Sequence, residues 1–212
     1  MLVNIISIIL STLLSGISIF IAIRAYKQGT KQIEISNKQS LFKERTNAII
    51  KLNALFDLYE NNKDLLMDCD DIPNFPFHLL ANTKMLESII EVAYNPLESK
   101  EQNNFLSKME DLRAFSLELS LLWDCEESTI ASCFILEYVQ ILCALYKQQV
   151  YIFELEKREK LELSDFKKKT KDMANHVGLN QYISNMNNLY NQMKEKNVLN
   201  ILQEKIKLKM EK

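Results

Sequence analysis

Four carboxylates, Asp64, Asp68, Asp70 and Asp71, sit close enough in sequence to suggest a hard-cation loop, the chemistry for which clustered aspartates are suited. A calcium loop of the helix–loop–helix kind needs a glycine six residues in and a glutamate at twelve, and neither is present after Asp68 or Asp70. The cluster therefore reads as a solvated acidic loop. Glu87, Glu91, Glu98 and Glu101 have helical spacing, but no Glu-x-x-His partner completes a di-metal bundle site. The two histidines, His78 and His176, lack the HExxH context of a zinc hydrolase and the HxE…CxxC pattern of a zinc deaminase. Cys69, Cys125, Cys133 and Cys143 form no CxxC pair; in a reducing compartment they are expected as thiols, mostly in the core. No Ser-His-Asp, Cys-His or GxSxG arrangement can be assembled. The expectation is a protein without catalytic, metal or cofactor site, and not an enzyme.

The elements that carry these residues are bounded by composition. Only 3 glycines occur in 212 residues, which disfavours doubly wound dinucleotide folds, P-loop enzymes and β-sandwiches, all of which need glycine-rich turns. Apolar residues make up 47% and charged ones 25%. The net charge of −2 hides three blocks: +5 over residues 24–51, −12 over 52–155 and +5 over 156–212. The basic ends favour an anionic membrane surface, and the acidic middle opposes nucleic-acid binding as the main task.

Residues Met1 to Ile23 contain no charged side chain and are rich in Leu, Ile, Val and Phe. A bilayer crossing takes about 20 such residues. A cleaved signal peptide carries a positive segment before its apolar run, and none is present here, so a retained transmembrane anchor is expected. Every early Lys and Arg lies after the span, which predicts an outside N-terminus and a cytoplasmic remainder. At 100° per residue, Asn4, Ser7, Ser11, Ser15, Ser18, Ala22, Ala25 and Gly29 fall within an arc of about 80°. A stripe of small hydroxyl residues lets helices approach closely, so the first reading is a self-association seam. The alternative is a stripe turned inward to line a narrow pore.

Beyond Arg24, Leu41, Ile49, Leu52, Phe56 and Tyr59 recur on one side, predicting a helix to about Asn61; unbroken, it would be roughly 90 Å long. Polar Ser36 to Ser40 marks a candidate hinge. Asp68 to Pro76 reads as a loop, and helices are predicted at about 77–94, 98–123, 126–158, 164–177 and 180–210, with Ser164 as a cap and Gly178 ending its helix. Ser128 to Tyr146 has one charge, Glu137, and fits a buried central helix better than a second crossing. Ile183, Met186, Tyr190 and Met193 suggest an amphipathic last helix packed on the bundle rather than a coiled-coil arm, and the apolar pattern shifts phase after Asn197. Trp123 is expected as a core or interface anchor, beside a polar turn at Asp124, Glu126 and Glu127. The fold class is therefore all-α, an N-terminal transmembrane helix extending into a cytoplasmic helical bundle. Its parts are an anchor over 1–26, a juxtamembrane helix over 27–61, and a bundle with a basic C-terminal helix over 62–212.

Lys31-Gln32-Ile33-Glu34-Ile35-Ser36-Asn37-Lys38-Gln39, then Phe42-Lys43-Glu44-Arg45, resembles the juxtamembrane region of an uncharacterised family of singly membrane-anchored helical proteins of Gram-positive bacteria. Asn95-Pro96-Leu97, Phe105-Leu106-Ser107-Lys108 and Tyr146-Lys147-Gln148-Gln149 are similar to later landmarks of such sequences. The resemblance covers residues 1 to about 153 and leaves the basic tail outside. It implies a bacterial membrane protein and no functional residue. Such architectures occur among phage-defence and mobile-element genes, which implies an effector or sensor role by analogy.

The function expected on these grounds is a membrane-anchored interaction protein that self-associates through its first helix and presents a cytosolic bundle to a protein partner. The alternative is an oligomeric, pore-forming effector gated by that bundle. The implied partners are the lipid bilayer, further copies of the chain and a protein that recognises the acidic middle. Nucleic acid is not among them.

Overall fold

The computed structural model describes residues 2–68, 74–158 and 163–206. It is all-helical, 90% helix, with no strand among the described residues. The order is α1 (Leu2–Asp68), α2 (Asn74–Ala81), a 3-10 helix (Glu87–Ala93), α3 (Ser99–Leu122), α4 (Glu126–Arg158), α5 (Leu163–His176), α6 (Leu179–Glu195) and α7 (Val198–Glu204). The chain divides into two units whose boundary falls between Glu44 and Arg45, within α1.

The described part of the first unit is the N-terminal stretch of α1. No hinge interrupts Ser36 to Ser40: the segment is helical throughout. Its polar side chains find partners one turn away, with Lys38 Nζ 2.7 Å from Glu34 Oε1 and Ser40 Oγ 3.2 Å from Glu44 Oε1. Pairs at this spacing support a helix that has little apolar surface to pack.

The second unit is built around α4, against which α2, α3, α5, α6, α7 and the 3-10 helix all pack. Ile130, Phe134, Tyr138, Ile141 and Leu145 of α4 are buried, and so are the apolar positions that surround them. The C-terminal stretch of α1 joins this core through Ala48, Ile49, Leu52, Leu55, Phe56 and Tyr59, spaced as one helix face requires. Leu41, expected on the same face, is instead exposed. Phe56 stacks on Tyr190 of α6 at 5.2 Å, and Tyr59 meets Phe134 edge-on at 6.0 Å. Aromatic pairs at these separations add to what area burial alone contributes.

Three local departures from the sequence reading have physical causes. The helix expected over 77–94 is two elements, because the chain turns at Asn82–Thr83, where Leu86 and Glu87 both donate to the Thr83 carbonyl. Beyond this turn the chain forms a 3-10 helix, and its buried Leu86, Ile89 and Val92 recur every three residues, the period of that helix. The loop expected over Asp68 to Pro76 is helical from Asn74, with Pro76 in the first turn, where its missing N–H costs nothing; residues 69–73 lie outside the described residues. The last helix breaks at Asn197, whose φ of 51° and ψ of 39° are left-handed, a conformation asparagine tolerates better than most side chains. At the other junction Gly178 takes φ 75°, ending α5 as its residue type suggests.

Candidate membrane helix and bundle surfaces

The first unit carries an unpacked apolar surface. Eleven large apolar side chains of α1 between Ile5 and Ile23 stand between about half and two-thirds exposed. An 18-residue window here has a mean hydropathy of 1.7, long and apolar enough to cross a membrane. Arg24, Lys27 and Lys31 come next, all exposed.

The small-residue stripe runs along this helix. Ser11, Ser15, Ser18, Ala22 and Ala25 are exposed and Gly29 is half-buried. Asn4 and Ser7 belong to the same helix, though their side chains lie outside the description. Ser15 Oγ donates to the Ser11 carbonyl and Ser18 Oγ to that of Leu14, each at 2.8 Å. This back-bonding satisfies the hydroxyl donors within the helix, which a lipid environment otherwise penalises. On the opposite side, by helical arithmetic, Gly16 leaves an open hollow rimmed by Ile9, Thr12, Leu13, Ile17 and Phe20.

In the second unit, Arg45 organises one end of the bundle, and its sequence context gave no sign of this. Its Nε and Nη2 donate to the Leu122 carbonyl at 2.9 and 2.7 Å, and Nη1 donates to the Lys205 carbonyl at 3.4 Å. The guanidinium thus closes the C-termini of α3 and α7, where unpaired carbonyls and the helix dipole favour a cation. It also lies 5.6 Å from the ring of Trp123, which is buried as expected. Nearby, Lys205 Nζ donates to Glu127 Oε2 at 3.0 Å. Lys205 first, then the Cys125 thiol and the residue's own backbone N–H, hold the Glu127 carboxyl down to about 2. Lys196 pairs with Glu126 on the same turn. Farther along, Glu60 accepts from Lys194 and Tyr190, which hold its carboxyl below the usual range.

The bundle has an open groove of about 690 Å³ among the start of α3, the C-terminal half of α4 and the end of α5. Leu97, Val150, Met173 and Val177 supply apolar wall, and Tyr146, Tyr151, Glu154 and His176 supply polar groups. Tyr146 is fixed: it stacks on Phe105 at 4.5 Å, donates to the Pro96 carbonyl at 2.9 Å and accepts from Gln102 at 3.1 Å.

The remaining sequence candidates are dispersed. His78 packs against Tyr94 at 5.0 Å, while His176 is exposed at the groove. Asp64, Glu87, Glu91 and Glu98 are exposed and Glu101 is buried; Asp70 and Asp71 lie outside the described residues, as does the side chain of Asp68. Cys125, Cys133 and Cys143 are free thiols. Among the described residues no group of His, Cys, Asp and Glu could hold a metal ion. Compared with protein-family models, curated proteins and solved structures, the chain matches none.

Proposed function

We propose that this chain is a membrane-anchored helical interaction protein. The apolar stretch of α1 crosses the bilayer with its N-terminus outside. The bundle works in the cytoplasm without catalysing a reaction, and its acidic surface recruits a protein partner. One observation carries the reading: eleven large apolar side chains between Ile5 and Ile23 are at least half exposed, while one whole apolar face of α1 after Arg45 is buried. At about 2 kcal/mol each, transfer of those side chains to lipid favours the membrane by on the order of 20 kcal/mol. The stripe from Asn4 to Gly29 then serves as the seam through which copies associate. Sedimenting cell membranes and washing them with alkaline carbonate tests the anchor. The full chain should stay in the pellet and a variant lacking residues 1–23 should not; release of the full chain into the wash would refute anchoring. Replacing Ser11, Ser15 and Ser18 with Leu tests the seam, which fails if the oligomer mass in mild detergent is unchanged.

A second reading, a membrane-permeabilising assembly gated by the bundle, draws support from the serine geometry. Ser15 and Ser18 have spent their donors on their own backbone, so the face they present to a lumen is one of acceptor oxygens. Such a lining favours cations over anions. Liposomes carrying the protein should then leak potassium faster than chloride, and leakage should stop in the Leu-substituted stripe.

A further inference from the structure

We propose that the outward face of the α3–α4 pair is where the bundle meets a second copy of this chain. The pair is locked by Ser116, whose Oγ lies 2.8 Å from Ser132 Oγ and 3.0 Å from the Ser132 carbonyl. Farther along, Gln102 Nε2 of α3 donates to Tyr146 Oη of α4 at 3.1 Å, so the two helices run antiparallel. On α4, Thr129, Cys133, Leu136 and Gln140 point outward at intervals of four, three and four residues, and none is charged. On α3, Leu106, Glu110, Arg113, Leu117 and Leu121 point outward at intervals of four, three, four and four. Leu117 is 60% exposed and Leu121 76%, where a helix facing only water would place polar residues. A lone exposed leucine is ordinary; two rows on adjoining helices form a patch of the kind that marks an interface.

The chemistry of the face selects its occupant. Four-three spacing on an antiparallel helix pair is the pattern that packs against another such pair to make a four-helix layer. Residues 52–155 carry a net −12, yet the charges in these rows balance, Arg113 Nη1 lying 2.6 Å from Glu110 Oε1. A strongly basic partner is drawn to other surfaces, and an acidic one gains nothing here. A second copy brings the same rows, with no net charge and with their exposed leucines. A two-fold axis through the face sets Arg113 of each copy against Glu110 of the other, as a self-complementary interface requires. The contact does not rest on the α1 seam, although anchored neighbours would raise its effective concentration.

Cys133, exposed within the α4 row, supplies the probe. The full-length protein in mild detergent is treated with a short bismaleimide and run on a denaturing gel. Wild type should give a covalent dimer, and Cys133→Ser should lose it. Arg113→Glu, which sets four carboxylates together across the axis, should reduce the dimer about tenfold. The double reversal Glu110→Arg with Arg113→Glu should restore it, a recovery that misfolding cannot mimic. An oligomer by mass that never cross-links through Cys133 overturns this interface and leaves the α1 seam standing. Cross-linking that survives the Leu-substituted stripe supports this interface whether or not the seam exists. Failure of the double reversal to restore the dimer removes the two-fold charge pairing and with it the proposal.

Discussion

Replacing Arg45 with alanine is expected to loosen one end of the bundle. The side chain makes two charge-assisted hydrogen bonds to one carbonyl, that of Leu122, a longer third to Lys205, and a cation–π contact with Trp123. Hydrogen bonds involving a charged group contribute about 1.5–3 kcal/mol, and an exposed cation–π contact about 0.5–1 kcal/mol. Arg45 is only half-buried, so water recovers part of both when the side chain is removed. The net loss is about 2–3 kcal/mol, which for a unit of this size lowers Tm by about 5–10 °C. Arg45→Lys keeps a cation beside the two helix ends but cannot fork onto one carbonyl, and should lose about half as much. Trp123 is the only tryptophan in the chain, so its fluorescence reports this end directly during urea or thermal unfolding of the full-length protein in detergent. A fluorescence spectrum and midpoint for Arg45→Ala that match wild type would refute the clamp, and an Arg45→Lys variant as weak as the alanine variant would refute the role of the fork.

Two further expectations concern the same turn and the break beyond it. The carboxyl of Glu127 is held near 2 in the folded protein against an ordinary 4.5, so its stabilisation is present above the ordinary value and is lost as pH falls from 4.5 towards 2. Glu127→Gln should therefore flatten the acid limb of the stability curve over that range; an unaltered limb would show that the Lys205 pair contributes nothing. At Asn197, held at φ 51°, substitution by glycine should raise stability by about 0.5 kcal/mol and substitution by valine should lower it by about 1–2 kcal/mol. Equal midpoints for the two variants in urea would contradict the assigned backbone conformation.

The long elements were legible because their periods are long. Helices expected over 98–123 and 126–158 are found at Ser99–Leu122 and Glu126–Arg158, where a buried face recurs over many turns and polar turn residues bound the run. The inner face of α1 showed in Ile49, Leu52, Phe56 and Tyr59, all four of them core. Short-range geometry was harder to read. The phase shift after Asn197 was visible, but the left-handed residue that causes it belongs to a type also tolerated inside helices. The three-residue recurrence of Leu86, Ile89 and Val92 was present too, over a stretch too short to separate from a helical one. Arg45 could not be found this way: its targets, the carbonyls of Leu122 and Lys205, lie 77 and 160 residues away, and backbone acceptors have no sequence signature.

The energies set an order among the proposed roles. Placing the apolar stretch of α1 in lipid is worth on the order of 20 kcal/mol, more than the roughly 5–15 kcal/mol that holds a bundle of this kind together. On the proposed reading, residues 5–23 therefore decide location even in a variant whose bundle has unfolded. Association through small residues or through a neutral helix face involves about 1–3 kcal/mol per contact, which is within reach of a bound partner or a change in local concentration. On the proposed reading a regulated step belongs at the surfaces: the serine stripe, the α3–α4 rows and the groove beside Tyr146. Substitutions in the α4 core, such as Phe134→Ala, should abolish partner binding and cross-linking at Cys133 while leaving the chain in the membrane. If such a variant left the membrane fraction instead, the bundle and not α1 would be the anchor, and the order of energies would be reversed.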